Sequence, residues 1–281
     1  MSSFEKPIIE IKNLRKQFGE GCNFCEGLES NNLEKNYCTK CGTVYACRDI
    51  SFNVYKGEIL GVVGESGSGK STMMQCLYFD QEVTSGEGYI SEFKNGMENI
   101  FNESTQQKRY IKNNILGKVY QNPILGLRMN FSSIGNIAEK LIAAGKRRVS
   151  DMKERGESLL EHVNIPTFRM NEAPRNFSGG MQQRVQIAKA LSNNPPILLL
   201  DEVTTGLDLS VQANVLDLIK KLQREMGISM IVVSHDLGVI RMLSDRTIVM
   251  LNGEIVEQGL TDQILEDPKH SYTQQLVQSL L

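Results

Sequence analysis

The stretch of the chain that most constrains its fold is a glycine-rich run at residues 64–72, with the sequence GESGSGKST. Residues 58–63 before it are mostly apolar, as in a buried strand, and residues 70–79 have the character of a helix. A strand, a glycine turn and a helix in this order satisfy the pattern G-x-x-x-x-G-K-[ST] without departure. The run therefore predicts an α/β fold in which this turn joins a strand of the sheet to a helix.

The same run supplies the chemistry of a nucleoside triphosphate site. Its glycines allow successive backbone N–H groups to turn toward phosphates, and the N-terminus of the helix adds its partial positive charge. Lys70 is expected to reach the β- and γ-phosphates, and Ser71 to hold Mg²⁺. A glycine turn without a ligand explains the glycines but not the lysine and serine after a strand. The predicted phosphate-binding residues are Gly64, Gly67, Ser68, Gly69, Lys70, Ser71 and Thr72.

A second apolar strand ends in two carboxylates, Asp201 and Glu202. Residues 197–200 are of the buried parallel-sheet type, and open α/β sheets bind ligands beyond the carboxyl ends of their strands. We expect Asp201 to anchor Mg²⁺ through water and Glu202 to polarise an attacking water. The alternative, that the two acids are only surface charges, is disfavoured by the phosphate loop earlier in the chain.

Composition limits the possible partners and compartments. With 281 residues the chain suits one large α/β domain with subdomains. Its net charge of -2 and pI of about 6.0 give no broad basic surface, so we expect no nucleic-acid partner. No apolar run approaches the roughly 20 residues of a membrane-spanning helix, and residues 1–7 lack the apolar region of a secretory signal. These features predict a cytoplasmic protein without disulfides.

Periodicity and turn signals divide the rest of the chain. They predict strands at residues 8–14, 44–54, 115–120 and 228–233, and helices within residues 134–165, 178–190 and 211–222. Asn252-Gly253 predicts a hairpin turn between residues 246–251 and 254–256. Gly86-Glu87-Gly88 predicts a turn, and the polar residues 95–114 predict a surface connection.

Further motifs make the chain similar to the ATP-binding cassette (ABC) ATPases over nearly its whole length. Residues 177–182 (FSGGMQ) resemble the signature of that family, 119–123 (VYQNP) its glutamine loop, 233–236 (VSHD) its switch histidine and 206–208 (GLD) the loop after its catalytic carboxylate. Each motif alone has an ordinary structural explanation, but their order favours the family. The resemblance implies a single domain over residues 1–281, with a RecA-like core, an N-terminal antiparallel β subdomain and a helical signature subdomain at residues 122–182.

The resemblance also implies a shared nucleotide site and a dimer. Ser178, Gly179 and Gly180 would bind the γ-phosphate of an ATP held by a second subunit, either in a homodimer or with a paired ABC ATPase. Asp208 would belong to the same cofactor-binding set. Phe18 fits the aromatic residue that stacks on adenine. Its rival is Tyr45, and simple strand packing is the alternative for both.

The implied reaction is hydrolysis of ATP to ADP and phosphate. Gln121 would contact Mg²⁺ and the attacking water, and His235 would contact the γ-phosphate and hold Glu202 in place. Glu202, His235 and Gln121 are therefore the expected catalytic residues, and Ser71, Gln121 and Asp201 the expected Mg²⁺ ligands.

The chain departs from the usual family pattern in three places. Phe177 and Met181 stand in the signature where many relatives have leucine and glutamine, and Val203 follows the catalytic glutamate in place of the usual proline. None of these changes removes a chemically active group. They predict hydrolysis at a rate that the motifs do not fix.

Residues 19–44 form a polar insertion with two cysteine pairs, Cys22-x-x-Cys25 and Cys38-x-x-Cys41. Four thiolates at this spacing can hold a tetrahedral ion, which would supply the folding energy that a small polar segment lacks. Structural Zn²⁺ is the expected occupant. An iron-sulfur centre, a redox dithiol and four unligated thiols are the alternatives. Since four cysteines leave no open coordination position, we expect a docking surface or a lid and not a catalytic metal.

Two kinds of partner agree with the C-terminal sequence. Residues 253–259 and 267–273 resemble both the oligopeptide/nickel importer ATPases and the ATPase K subunit of the phosphonate carbon-phosphorus lyase system. Residues 126–128, 135–141 and 144–145 are more similar to the lyase subunit. The resemblance therefore favours a dimer bound to a carbon-phosphorus lyase core. Membrane permease subunits are the alternative partner, and would place the chain at the periphery of the inner membrane.

Overall fold

The computed structural model describes residues 6–25 and 33–278, so the middle of the predicted 19–44 insertion lies outside the described residues. The chain divides into two compact units. Unit one comprises the residues up to Glu103 and those from Val233 onward, and unit two comprises Ser104–Val232. No helix in the described ranges is long and apolar enough to cross a membrane. The single-domain and subdomain boundaries at 1–281 and 122–182 stay predictions.

Strands and helices alternate along most of the chain. The strands are β1 (Ile9–Phe18), β2 (Val44–Val54), β3 (Ile59–Val63), β4 (Ser85–Ile90), β5 (Leu116–Val119), β6 (Ile197–Asp201), β7 (Ser229–Val233), β8 (Arg246–Leu251) and β9 (Glu254–Leu260). The helices are α1 (Lys70–Leu77), α2 (Thr105–Asn114), α3 (Pro123–Gly126), α4 (Ser133–Ala143), α5 (Val149–His162), α6 (Gly179–Ala190), α7 (Leu209–Met226), α8 (Leu237–Leu243), α9 (Thr261–Glu266) and α10 (Ser271–Gln278). Short 3-10 helices lie at Lys94–Gly96, Ile100–Asn102, Thr167–Arg169 and Pro174–Asn176.

Unit one contains two strand arrangements. Strands β2, β1 and β4 form an antiparallel sheet in that order, with Ile9 opposite Val54 on one side and Ile90 on the other. Strand β3 pairs in parallel with β8, and β8 pairs with β9 in an antiparallel hairpin. All five residues of β3 are buried, as expected of a strand covered on both faces.

Unit two is built around the strand order β5-β6-β7. Strands β5 and β6 are parallel, with Leu116 opposite Ile197 and Val119 opposite Leu200. Every residue of β6 and β7 is buried, which explains their continuous apolar runs. Helix α7 buries Val215, Leu218, Ile219 and Leu222, whose spacing places them on one face of the helix.

The hairpin signal in the sequence corresponds to the turn between β8 and β9. Asn252 has φ 50° and Gly253 has φ 83°, so both turn residues adopt the left-handed backbone that a tight two-residue hairpin requires. Residues 134–165 form two helices, α4 and α5, as their helical spacing indicates.

One sequence prediction of local structure is wrong, and another is incomplete. Gly86-Glu87-Gly88 is not a turn but part of β4. The two glycines occur in this strand because neighbouring atoms leave no space for a Cβ at either position. A Cβ on Gly86 would lie 2.7 Å from Leu14 Cα, and one on Gly88 would lie 2.8 Å from the Phe101 ring.

Residues 95–114 lie mostly at the surface, as predicted, but they are not an irregular connection. They contain helix α2, which begins at the cap residue Ser104 and buries Ile111. The preceding 3-10 helix buries Ile100 and Phe101. The buried apolar residues of this polar segment are Ile100, Phe101 and Ile111, and so few positions give too weak a periodic signal to predict a helix.

Candidate nucleotide site and cysteine cluster

The structure distributes the predicted site residues over the two units. Phe18, the phosphate loop at residues 64–72, His235 and the four insertion cysteines lie in unit one. Gln121, Ser178, Gly179, Gly180, Asp201, Glu202 and Asp208 lie in unit two.

The phosphate loop is closed tightly on its neighbours at its first and last glycines. A Cβ on Gly64 would lie 2.2 Å from the Met250 carbonyl oxygen, and one on Gly69 would lie 2.1 Å from the Ala46 carbonyl oxygen. Gly69 also has φ 102° and is the residue from which α1 begins. Only glycine fits both positions, so the two glycines fix how the loop sits against β2 and β8.

Lys70 is buried, and its ammonium is held within the loop. Its Nζ donates hydrogen bonds of 2.8 Å to the carbonyl oxygens of Gly64 and Glu65, and it lies 3.3 Å from Ser68 Oγ. Ser71 and Thr72 follow in the first turn of α1 and are half-buried. The loop therefore presents a fixed cation and a helix N-terminus together, which is the electrostatic requirement of a phosphate site.

In unit two, a hydrogen bond joins two of the predicted catalytic residues. Gln121 Nε2 donates to Glu202 Oε2 at 2.8 Å, and the Thr205 hydroxyl donates to the same oxygen at 3.3 Å. Glu202 has φ 47°, a left-handed conformation that costs a non-glycine residue free energy and often occurs at functional sites. Asp201, at the end of β6, is buried. The carboxylate of Glu202 is thus held in one orientation at the carboxyl end of β6.

A residue that no sequence motif indicated, Gln186, fixes the main chain next to Gln121. The buried side chain of Gln186, on α6, accepts a 2.6 Å hydrogen bond from the Tyr120 N–H and donates one of 3.1 Å to the Tyr120 carbonyl oxygen. This pair of bonds is called the amide clamp below. A buried glutamine on a largely apolar helix face was the available signal, but it did not specify a partner 66 residues away.

The signature residues begin helix α6. The Ser178 side chain caps the helix by accepting from the Met181 N–H at 3.4 Å, and Ser178 and Gly179 are exposed. Gly180 is buried, since a Cβ there would lie 2.3 Å from Val211 Cγ1. The start of α6 therefore presents a hydroxyl and main-chain N–H groups at the surface of unit two.

The unusual signature residues Phe177 and Met181 share a contact. The Arg169 guanidinium lies 4.6 Å from the Phe177 ring centroid and 3.5 Å from Met181 Sδ. Glu172 holds Arg169 from the other side through two hydrogen bonds of 2.7 and 2.9 Å. The two departures from the usual motif thus form one local cluster with a cation. Val203, the third departure, is buried.

The remaining predicted residues lie at element boundaries. His235 is exposed between β7 and α8, whose first turn is capped by the Asp236 side chain. Asp208 is exposed at the N-cap position of α7. Phe18 ends β1 with its ring 43% exposed and the Lys16 ammonium 4.9 Å from its centroid. These exposed positions leave all three side chains accessible to a ligand.

Tyr45, the alternative adenine-stacking residue, is engaged elsewhere. Its hydroxyl donates to the Cys25 carbonyl oxygen at 3.4 Å. Burial, followed by the neighbouring thiols, raises the pKa of Tyr45 well above that of an exposed phenol. The Tyr45 hydroxyl thus contacts the cysteine cluster. Phe18 stays the predicted adenine-stacking residue.

The four insertion cysteines converge on one point. Their sulfur atoms all lie within 4.8 Å of one another, with separations of 3.5 Å for Cys25 to Cys41, 3.6 Å for Cys22 to Cys25 and 3.9 Å for Cys22 to Cys38. Four sulfurs at about 2.3 Å from a tetrahedral zinc ion would lie about 3.8 Å apart. The donor set and its spacing therefore fit a tetrahedral ion.

The other two cysteines have different surroundings. Cys47 and Cys76 are buried in unit one, and burial raises the pKa of Cys47 to about 12 and that of Cys76 to about 11. They are packed core thiols, and the raised pKa keeps both in the poorly nucleophilic thiol form.

Comparison with known proteins identifies the family. The family model described as ABC transporter matches residues 47–205. This chain belongs to the ABC transporter ATPase family. The ABC ATPase family and its α/β fold, predicted from the motifs, are thereby confirmed, and the chain is an ATP-binding ATPase subunit.

Several ABC ATPases are similar over most of the chain. The putative phosphonates utilization ATP-binding protein PhnK of Escherichia coli (strain K12) is 43% identical over 254 residues, which cover 90% of this chain and 97% of PhnK. The oligopeptide transport ATP-binding protein OppD of Bacillus subtilis (strain 168) is 39% identical over 260 residues, covering 90% of this chain and 71% of OppD. The ATP-binding cassette MJ0796, in a dimeric post-hydrolysis state bound to ADP and Pi, superimposes with a TM-score of 0.74 at 29% identity, covering 90% of this chain and 98% of that one.

Proposed function

We propose that this ABC ATPase hydrolyses Mg-ATP as a head-to-tail dimer that drives a carbon-phosphorus lyase complex in phosphonate catabolism. The main support for the lyase assignment is the 43% identity to PhnK. The alignment covers 97% of PhnK. The resemblance of residues 126–128, 135–141 and 144–145 to the lyase subunit supports the same assignment. Under this assignment the ATPase is cytoplasmic.

In the proposed reaction, Lys70 and the loop N–H groups bind the β- and γ-phosphates. The oxygen donors of Ser71, Asp201 and Gln121 suit Mg²⁺, which prefers hard ligands, and the ion would neutralise charge on the phosphates. His235 is assigned to the γ-phosphate and Phe18 to the adenine ring.

Glu202 is the proposed general base for the attacking water. The hydrogen bonds from Gln121 and Thr205 restrict its carboxylate to one orientation, so little reorganisation is needed when the water loses its proton. Because the amide clamp fixes Tyr120, it also fixes the main chain that carries Gln121. Glutamine at position 202 would keep the shape and remove the base.

The proposed dimer explains why the start of α6 is exposed. Ser178 and Gly179 are accessible at a helix N-terminus, where a partner's γ-phosphate would complete the cap of the helix. Asp208, also exposed, is proposed to belong to the same shared site. The dimeric state of the MJ0796 cassette supports this arrangement.

Structural zinc at Cys22, Cys25, Cys38 and Cys41 is the proposed state of the insertion. The sulfur separations support it, and Gly42, with φ 76°, makes the tight turn after the second pair, where its N–H donates to the Cys38 carbonyl oxygen at 2.9 Å. Since Phe18 directly precedes the insertion, the metal cluster would form a docking surface or lid next to the adenine.

The alternative is the ATPase subunit of a peptide or nickel importer with separate membrane permeases. It is supported by the 39% identity to OppD. Affinity purification of the tagged chain from its native cell separates the two functions. Recovery of soluble lyase core subunits is the expected result, whereas recovery of integral-membrane permeases alone would establish the importer alternative.

A further inference from the structure

The side chain of Tyr272, in the first turn of α10, binds the main chain of the phosphate loop. The main-chain N–H of Glu65, the second residue of the loop, donates a 2.8 Å hydrogen bond to the Tyr272 hydroxyl. Both residues lie in unit one. None of the roles proposed for the nucleotide site uses this contact.

The peptide unit between Gly64 and Glu65 transmits the contact to Lys70. Its N–H is bound by Tyr272, and its carbonyl, that of Gly64, accepts the 2.8 Å hydrogen bond from Lys70 Nζ. A peptide unit is planar, so its N–H and C=O groups cannot reorient independently. The Met250 carbonyl oxygen leaves no space for a side chain at Gly64 and packs the loop from a third direction. Tyr272 and Lys70 therefore fix the two sides of one rigid plane.

The position of Tyr272 is itself determined by β9. The two carboxylate oxygens of Glu257 accept hydrogen bonds from the N–H groups of Lys269, at 2.7 Å, and His270, at 3.0 Å. The Tyr272 N–H then donates to His270 Nδ1 at 3.2 Å. These bonds tie the start of α10 to a strand of the sheet, so the tyrosine hydroxyl is presented by a rigid element and not by a loose segment.

We propose that Tyr272 is a positioning residue for ATP: its hydroxyl orients the Gly64–Glu65 peptide and, through the Gly64 carbonyl, the Lys70 ammonium that binds the β- and γ-phosphates. The proposal rests on the phosphate-binding role of Lys70. Tyr272 does not touch the nucleotide, and its effect is exerted on the shape of the loop. The hydroxyl is the essential group, because the aromatic ring alone cannot accept the Glu65 N–H.

The test is the variant Tyr272→Phe, which keeps the ring and removes only the hydroxyl. Its dissociation constant for N-methylanthraniloyl-ATP with Mg²⁺ is expected to rise about 3- to 10-fold, the effect of one lost neutral hydrogen bond. Hydrogen-deuterium exchange of the peptide that spans residues 64–72 is expected to become faster in the nucleotide-free protein. Tyr110→Phe, at a tyrosine of α2 that is 52% exposed, is the matched control and is expected to change neither quantity.

Both readouts are needed to accept the proposal. Faster exchange with unchanged ATP affinity would show a merely structural contact, and weaker binding with unchanged exchange would show that the effect does not pass through the loop. Either result, or no change in both, overturns it. Lys70→Ala tests the underlying assignment separately. If Lys70→Ala binds the ATP analogue normally, the role of Lys70 is wrong, even where Tyr272→Phe still accelerates exchange.

Discussion

Replacing Gln186 by methionine isolates the contribution of the amide clamp. Methionine has nearly the same length and volume, so it fills the site without a large cavity, but it cannot pair with a main-chain N–H and C=O. Gln186 is only 1% exposed, and a Cβ on the adjacent Gly126 would lie 2.3 Å from its Oε1, so water has no space to replace the amide.

The expected loss follows from the two clamp bonds and from the 3.3 Å hydrogen bond that Gln186 Nε2 donates to Gln183 Oε1. Each hydrogen bond contributes about 1 kcal/mol net, and a buried group left unsatisfied costs about 1–3 kcal/mol, so the free energy of unfolding should fall by about 2–4 kcal/mol. The urea midpoint should fall accordingly with the same dependence on urea concentration. The turnover number should fall roughly 10- to 100-fold, because Gln121 follows the released residue Tyr120 and small misplacements of catalytic groups are costly.

The matched control is Gln106→Met, at an exposed position of α2, which should change the free energy of unfolding by less than about 0.5 kcal/mol. The reasoning is refuted if Gln186→Met unfolds at the wild-type urea concentration. A lower midpoint with a wild-type turnover number would show that the clamp stabilises the fold without positioning Gln121.

Glu202→Gln should retain ATP binding, but its rate of phosphate release should fall at least about 100-fold because the general base is gone. A wild-type rate would contradict the role of Glu202 as the general base. Gly69→Ala should lower the free energy of unfolding in urea by more than about 2 kcal/mol. The new Cβ would lie 2.1 Å from the Ala46 carbonyl oxygen, at a residue whose φ is positive. Gly227→Ala, also left-handed at φ 62° but with nothing within 4 Å, should cost only about 1 kcal/mol, and equal losses would disprove the clash argument. Elemental analysis should find one zinc ion per wild-type chain and a large loss in Cys38→Ser, whereas Cys47→Ser should keep its zinc. Zinc-free wild-type protein would refute the metal assignment.

Much of the fold was predictable because its signals are local. The phosphate loop, the strand before Asp201 and the Asn252-Gly253 hairpin each depend on a few consecutive residues whose backbone preferences agree. The same holds for the four cysteines, whose spacing within two short turns brings the sulfurs together.

The wrong predictions arose where a residue's partner lies far away. The glycine spacing predicts a turn at Gly86 and Gly88, whereas in the structure both glycines allow close approach to Leu14 and Phe101. Helix α2 was missed because a single residue, Ile111, anchors it.

The sequence by itself therefore determined the family, the order of most elements and the identity of the chemical groups, since these depend on local patterns and motif spacing. Only the tertiary structure decided which side chains hold those groups in place. Gln186 binds the main chain 66 residues away, and Tyr272 binds the phosphate loop 207 residues away. No periodicity encodes such pairs, because each hydrogen bond forms only after the whole chain has packed and brought its two partners together.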